Sequence, residues 1–177
     1  MKKIFLFSGL LSCFFFHAVA WGELADNGVE CSVVMKETTF DARASFPDFT
    51  LIFTNKGKKT VLLFDDFHPL KGKGPNISID IWKEKNVGGK NKPIAWYIPP
   101  YMIERSSAPL TYITLKPGEK HEVLIKDAYL LLKYFQPFVN EERYVLEVRF
   151  EDGYGEPGIR REYAGKEHFR LTDRTPR

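Results

Sequence analysis

From Cys31 onward apolar side chains recur at every second position, not at every third or fourth. Phe49, Leu51 and Phe53 alternate with Thr50, Ile52 and Thr54, and after Asn55-Lys56-Gly57 a second β-rich run covers Thr60 to Phe64. Two such runs around a short turn predict a hairpin-like pair. Ile77, Ile79 and Ile81 alternate with Ser78, Asp80 and Trp82, after which Lys83 to Lys92 holds a Gly-Gly pair and reads as a loop. Leu110 to Leu115 gives another run, Lys116-Pro117-Gly118-Glu119 a turn, and His121 to Lys126 a further strand. The cleanest alternation is Tyr144, Leu146, Val148 and Phe150 against Val145, Glu147 and Arg149; Asp152-Gly153-Tyr154-Gly155 reads as its end, and Glu167 to Leu171 as a last short strand.

Only Ala128 to Tyr134 has a helical look, and it is too short and evenly apolar to stand as an amphipathic helix; a single turn or an irregular crossover is expected. About seven short strands without long helices predict an all-β chain: one antiparallel two-sheet sandwich spanning residues 21–177. Its long connections would be Asp41 to Pro47, Asp65 to Pro75 and Lys83 to Tyr101.

The first twenty residues read differently. Lys2 and Lys3 precede an apolar run from Ile4 to Phe16, and Ala18-Val19-Ala20 has the small-x-small form of a peptidase site. This is the pattern of a cleaved secretory signal peptide, residues 1–20, and the short Lys-Lys start has a bacterial character; the expected location is periplasmic or secreted. Leu10-Leu11-Ser12-Cys13 also resembles a lipobox, which would place a lipid anchor on Cys13, although Phe14-Phe15-Phe16 then replaces the usual polar tether. No later stretch approaches the roughly 20 apolar residues of a membrane span.

Charge and cysteine content narrow the functions. The 177 residues carry 26 Lys plus Arg and 23 Asp plus Glu, and removal of Lys2 and Lys3 leaves a balance of +1. A near-neutral domain has no field to hold a polyanion, so nucleic-acid binding is not expected. With Cys13 lost, Cys31 is the single cysteine: no internal disulfide and no cysteine-based zinc site can form, and without a flanking base it reads as a small apolar strand residue.

Several pieces fall in a familiar order. Phe49 to Val61, with its Asn-containing turn, looks like the strand, turn and strand opening of many bacterial immunoglobulin-like domains; Thr114-Leu115-Lys116-Pro117-Gly118-Glu119 looks like their Leu-x-Pro-Gly-Glu turn, and Arg143 to Val148 like their penultimate strand. The set resembles the intracellular-proteinase-inhibitor family and the small domains preceding some secreted metallopeptidases. The resemblance, over roughly residues 32–150, implies an immunoglobulin-like sandwich. No family inhibitory motif is matched, and Pro93 to Pro109 has no counterpart in it.

Candidate chemistry is sparse. There is no Gly-x-Ser-x-Gly elbow, and Ser106-Ser107 lies in a loop; phosphate-binding loops are absent. Asp65, Asp66 and His68, with His121 and His168 elsewhere, are the nearest approach to a metal set, but the paired-ligand spacing is missing. Glu141-Glu142 and Glu151-Asp152 would point to opposite faces of a strand and read as solvated turn charges. No metal, cofactor or enzymatic activity is therefore expected. The most unusual stretch is Pro93 to Met102, whose Trp96, Tyr97 and Tyr101, with Tyr112 beyond, offer rigid aromatic surface of the kind used to recognise protein, peptide or sugar; the same rings would equally cap one end of the core. The sequence thus predicts an exported, non-catalytic binding or accessory module of the bacterial envelope recognising a protein or peptide. Its alternative is an inhibitor of a secreted or periplasmic peptidase or toxin.

Overall fold

The computed structural model describes residues 21–25, 27–41, 46–65, 67, 76–87, 92–97, 110–130, 132–134, 138–139, 142–156 and 159–172. The signal-peptide and lipobox readings, with Cys13, lie outside them. The described residues form twelve strands: β1 Trp21–Leu24, β2 Val29–Met35, β3 Thr39–Asp41, β4 Phe49–Asn55, β5 Val61–Phe64, β6 Ile77–Lys83, β7 Ala95–Tyr97, β8 Tyr112–Leu115, β9 Lys120–Ile125, β10 Lys133–Tyr134, β11 Arg143–Glu156 and β12 Ile159–Thr172. Single 3-10 turns at Glu84–Asn86 and Ala128–Leu130 are the helical elements. Among the described residues no helix is long and apolar enough to cross a membrane.

Ten strands make one sheet in the order β10-β7-β6-β11-β12-β1-β2-β4-β9, with β3 added beside β12; β5 and β8 form a separate pair. Strand β1 changes partner along its length, pairing with β12 through Trp21 and Gly22 and with β2 through Glu23 and Leu24. The sheet folds back on itself there. Phe53 of β4 meets Phe150 of β11 at 5.6 Å and Tyr163 of β12 at 5.9 Å, although three strands lie between β4 and β11 and two between β4 and β12 within the sheet. The two halves come close at Gly165 of β12, where an added Cβ would lie 2.9 Å from Val33 Cγ2 of β2.

The core follows from the alternation. Val29, Cys31, Val33 and Met35 of β2, Phe49, Leu51 and Phe53 of β4, Ile77, Ile79 and Ile81 of β6, and Tyr144, Leu146, Val148 and Phe150 of β11 are all buried. Their rings collect at two ends. Phe53, Phe67, Phe150 and Tyr163 pack together, and so do Phe40, Phe46, Phe138, Tyr144 and Phe169. At the second end the Tyr144 hydroxyl, near the start of β11, accepts from Val139 N at 2.8 Å and donates to Val139 O at 3.1 Å.

Several expectations need correction. Strands β4 and β5 are not a hairpin: β4 pairs with β2 and β9, whereas β5 pairs with β8. The turn at Asn55-Lys56-Gly57 carries the chain out of one sheet and into the other. Asn55, fully buried, holds it there, donating from Nδ2 to Lys59 O and Leu115 O at 2.8 Å each and accepting from Gly57 N at Oδ1. The Lys116 to Glu119 turn makes the return crossing beside it, with Gly118 at φ +80 as that turn requires and its N–H on Asn55 O at 2.8 Å. The last two strands are also longer than expected. Strand β11 runs on through Asp152 to Glu156 with a register shift, and β12 begins at Ile159. One pairing, β3 with β12, is parallel where an antiparallel assembly was expected. The strand count exceeds seven because β1, β3, β7 and β10 have four residues or fewer, too few alternations to show in sequence.

Candidate functional site

The aromatic stretch resolves into an inward and an outward set. On β7, Ala95 and Tyr97 point into the core, Tyr97 being 8% exposed, and Ile94 is buried beside them. Burial raises the Tyr97 phenol above its ordinary range. Trp96 takes the opposite face and is half-buried. Tyr112, on β8, is 42% exposed and tilted against Phe64 at 6.1 Å between ring centres. Tyr101 lies outside the described residues. Trp96 and Tyr112 thus stand on different sheets, and Tyr97 belongs to the core.

What surrounds Trp96 follows from the register. Trp96 is opposite Asp80, Asp80 opposite Glu147, and Glu147 opposite Lys166, so one outward row crosses β7, β6, β11 and β12. Residues directly opposite in an antiparallel ladder share a face and touch. Arg149, one step along β11, places Nη2 3.2 Å from Asp80 Oδ2 and 3.2 Å from Glu147 Oε2, and Lys166 Nζ is 3.4 Å from Glu147 Oε1. Burial raises the Asp80 carboxyl above its ordinary range, Arg149 opposing and Glu147 adding to the effect. Next to this row Trp82 and Val145 lie opposite each other; Val145 is buried, and Trp82 Nε1 is buried without a hydrogen-bond partner among the described residues. The result is an outward sheet face with an indole beside a chain of matched charges. It can stack on a planar or apolar group of a partner and offer hydrogen bonds at its edge.

Other sequence candidates are separated. His121 faces inward from β9 against Phe67, 5.7 Å between rings, whereas His168 faces outward from β12 with Nδ1 3.0 Å from Glu84 Oε1. Asp65 is exposed, and Asp66 and His68 are outside the described residues. Among the described residues no three His, Cys, Asp or Glu side chains come close enough to hold a metal ion. Cys31 is buried on the inward side of β2, and desolvation, with the nearby Glu30, pushes its thiol up to about 12. Glu142 pairs with Lys83 at 2.6 Å, and Glu151 with Arg160. Asp152 is no solvated turn charge: it is buried and accepts from Phe64 N at 3.2 Å, fastening β5 to β11.

Sequence reasoning missed the row on which Trp96 sits. Its outward members on β6 and β11 are visible as alternation, but nothing local says that those strands adjoin. A second missed residue is Glu167. It lies opposite Leu146 on the inward face of β12, is 5% exposed, and has Oε2 without a partner among the described residues, while Oε1 accepts from His168 N at 2.9 Å. Desolvation raises its carboxyl above the ordinary range, against smaller lowering by that hydrogen bond and by the His168 ring. Comparison with known families, curated proteins and solved structures returned no match.

Proposed function

We propose that this chain is an exported, non-catalytic binding or accessory module of the bacterial envelope, built as an immunoglobulin-like sandwich, which takes a protein or peptide partner on the outward face around Trp96. The observation that carries the reading is the half-buried indole standing outward beside Asp80 while its neighbours Ala95 and Tyr97 are committed to the core. Such an indole loses little conformational freedom on contact and contributes large apolar area. The immunoglobulin-like assignment draws support from the facing halves of the sheet and from Tyr144, whose hydroxyl bonds back to the backbone five residues upstream, as in the tyrosine corner of such domains.

The test is capture from envelope extract by the wild-type chain and by Trp96→Ala side by side, followed by affinity measurement with the captured partner. Trp96→Ala is expected to weaken binding by about 1–3 kcal/mol with the melting temperature nearly unchanged. A variant that loses melting temperature instead, or binds as well as wild type, removes Trp96 from the site. The captured partner's activity separates the two classes of reading: an accessory module leaves it intact, an inhibitor of a peptidase or toxin abolishes it.

A further inference from the structure

One end of the ten-stranded sheet is β9; the other is the two-residue β10. Strand β9 pairs with β4 on one side, and no strand adjoins its other side among the described residues. A terminal strand presents unpaired N–H and C=O groups, and charged side chains along it normally discourage pairing. The outward positions here are Lys120, Glu122, Leu124 and, just past the strand, Lys126, all exposed. Leu124 is 53% exposed. None of the three charges has a hydrogen bond or ion pair among the described residues, unlike the matched row around Arg149.

We propose that the protein forms a two-fold dimer through this edge, pairing Glu122 to Lys126 antiparallel with the same segment of a second copy. Two identical antiparallel strands that keep the same face outward are related by an axis through a residue, so the possible registers are few. An axis at Glu122 sets Glu122 against itself. One at Val123 sets Lys120 against Lys126, and one at Ile125 sets Leu124 against Lys126. Only axes at His121 and Leu124 oppose unlike charges. The His121 register runs each strand into the Lys116 to Glu119 turn, whose Gly118 N–H is already bonded to Asn55 O. The Leu124 register avoids it: Glu122 meets Lys126 of the second copy twice, Leu124 covers Leu124, and Val123 meets Ile125 on the core side. It ends where Asp127, at φ +53 and with its N–H on Asp48 Oδ1, turns the chain away. The alternating charges therefore select one partner, a second copy, where charges of a single sign would only repel.

Sedimentation of the chain as recovered from the cell tests this. Wild type is expected at twice the chain mass, and Glu122→Lys or Lys126→Glu alone should weaken association roughly tenfold, since each replaces two unlike pairs by two like ones. The double exchange Glu122→Lys with Lys126→Glu restores the pairs and should restore the dimer, with melting curves confirming that each variant folds. A monomer at all concentrations up to about 1 mM, the weak end of specific association, overturns the proposal. So does a dimer indifferent to the single reversals, or a double exchange that stays monomeric.

Discussion

On the outward face of β6, β11 and β12, Asp80, Glu147, Arg149 and Lys166 hold one another in a continuous chain; on the outward face of β9, Lys120, Glu122 and Lys126 reach no partner among the described residues and Leu124 is exposed. Strand position explains the difference. Strands β6 and β11 have neighbours on both sides, so each outward charge has cross-strand partners within reach, while among the described residues β9 has a neighbour on one side. A matched face inside the sheet is a firm platform, and Trp96, the residue of the proposed contact, stands at its border. An unmatched edge is where the proposed pairing with a second copy would supply the missing partners. The same sequence rule, alternation of apolar with charged residues, thus serves two ends that only the sheet order distinguishes.

The comparison can be broken most forcefully at Arg149. Replacing it with Met leaves Asp80 and Glu147 facing each other without their shared guanidinium, and should lower stability by about 2 kcal/mol, partial exposure screening the pair. The loss should shrink on acidification, because Asp80, whose carboxyl burial already raises and Arg149 holds down, then protonates and no longer needs the guanidinium; denaturant melts of both proteins across acid and neutral pH would check this. An equal loss at every pH would mean that the Arg149 stem, not its charge, matters.

A smaller effect of opposite sign is expected behind that platform. Glu167 has its folded-state pKa raised, so the unfolded chain releases the proton first as pH rises. Stability is therefore lost as pH climbs from the ordinary glutamate range through the raised value. Glu167→Met should be stabilising by about 1 kcal/mol at neutral pH. The gain should diminish below the ordinary range, and calorimetry at several pH values would show it. The smallest effect belongs to the edge. Glu122→Ala and Lys126→Ala should each change the stability of the isolated chain by no more than about 0.5 kcal/mol, measured at protein concentrations low enough to exclude association. A larger loss would show that these charges already have partners within the chain.

Much of the fold is legible locally. The alternations in Phe49 to Asn55, Ile77 to Trp82 and Tyr144 to Phe150 give β4, β6 and the first half of β11, because one side of each is apolar without interruption. The first half of β12 is not legible: Arg160, Arg161 and Glu162 look like loop, although long pairing with β11 makes them strand. Turn residues at Asn55-Lys56-Gly57 announce a change of direction but not which sheet receives the next strand; that choice depends on Leu115, 60 residues away. At the candidate site, the division between Tyr97 inward and Trp96 outward follows from Ile94, Ala95 and Tyr97 seeking burial. The neighbours of Trp96 depend on long-range register and leave no local trace.

The Asn55 amide also bears on the order in which the chain assembles. Its Nδ2 reaches Leu115 O across 60 residues, while its Oδ1 takes the nearby Gly57 N–H. Local turn bonds form early, and a contact closing so long a loop must first overcome the chain entropy of the intervening segment. One side chain therefore takes part in both early and late events. Its near bonds preset the crossing, and its far bond joins two sheets that have by then each found their strands. A bond made after the rate-limiting step governs how slowly a native protein opens rather than how fast it forms, and the 60-residue reach of this amide suits it to such a clasp.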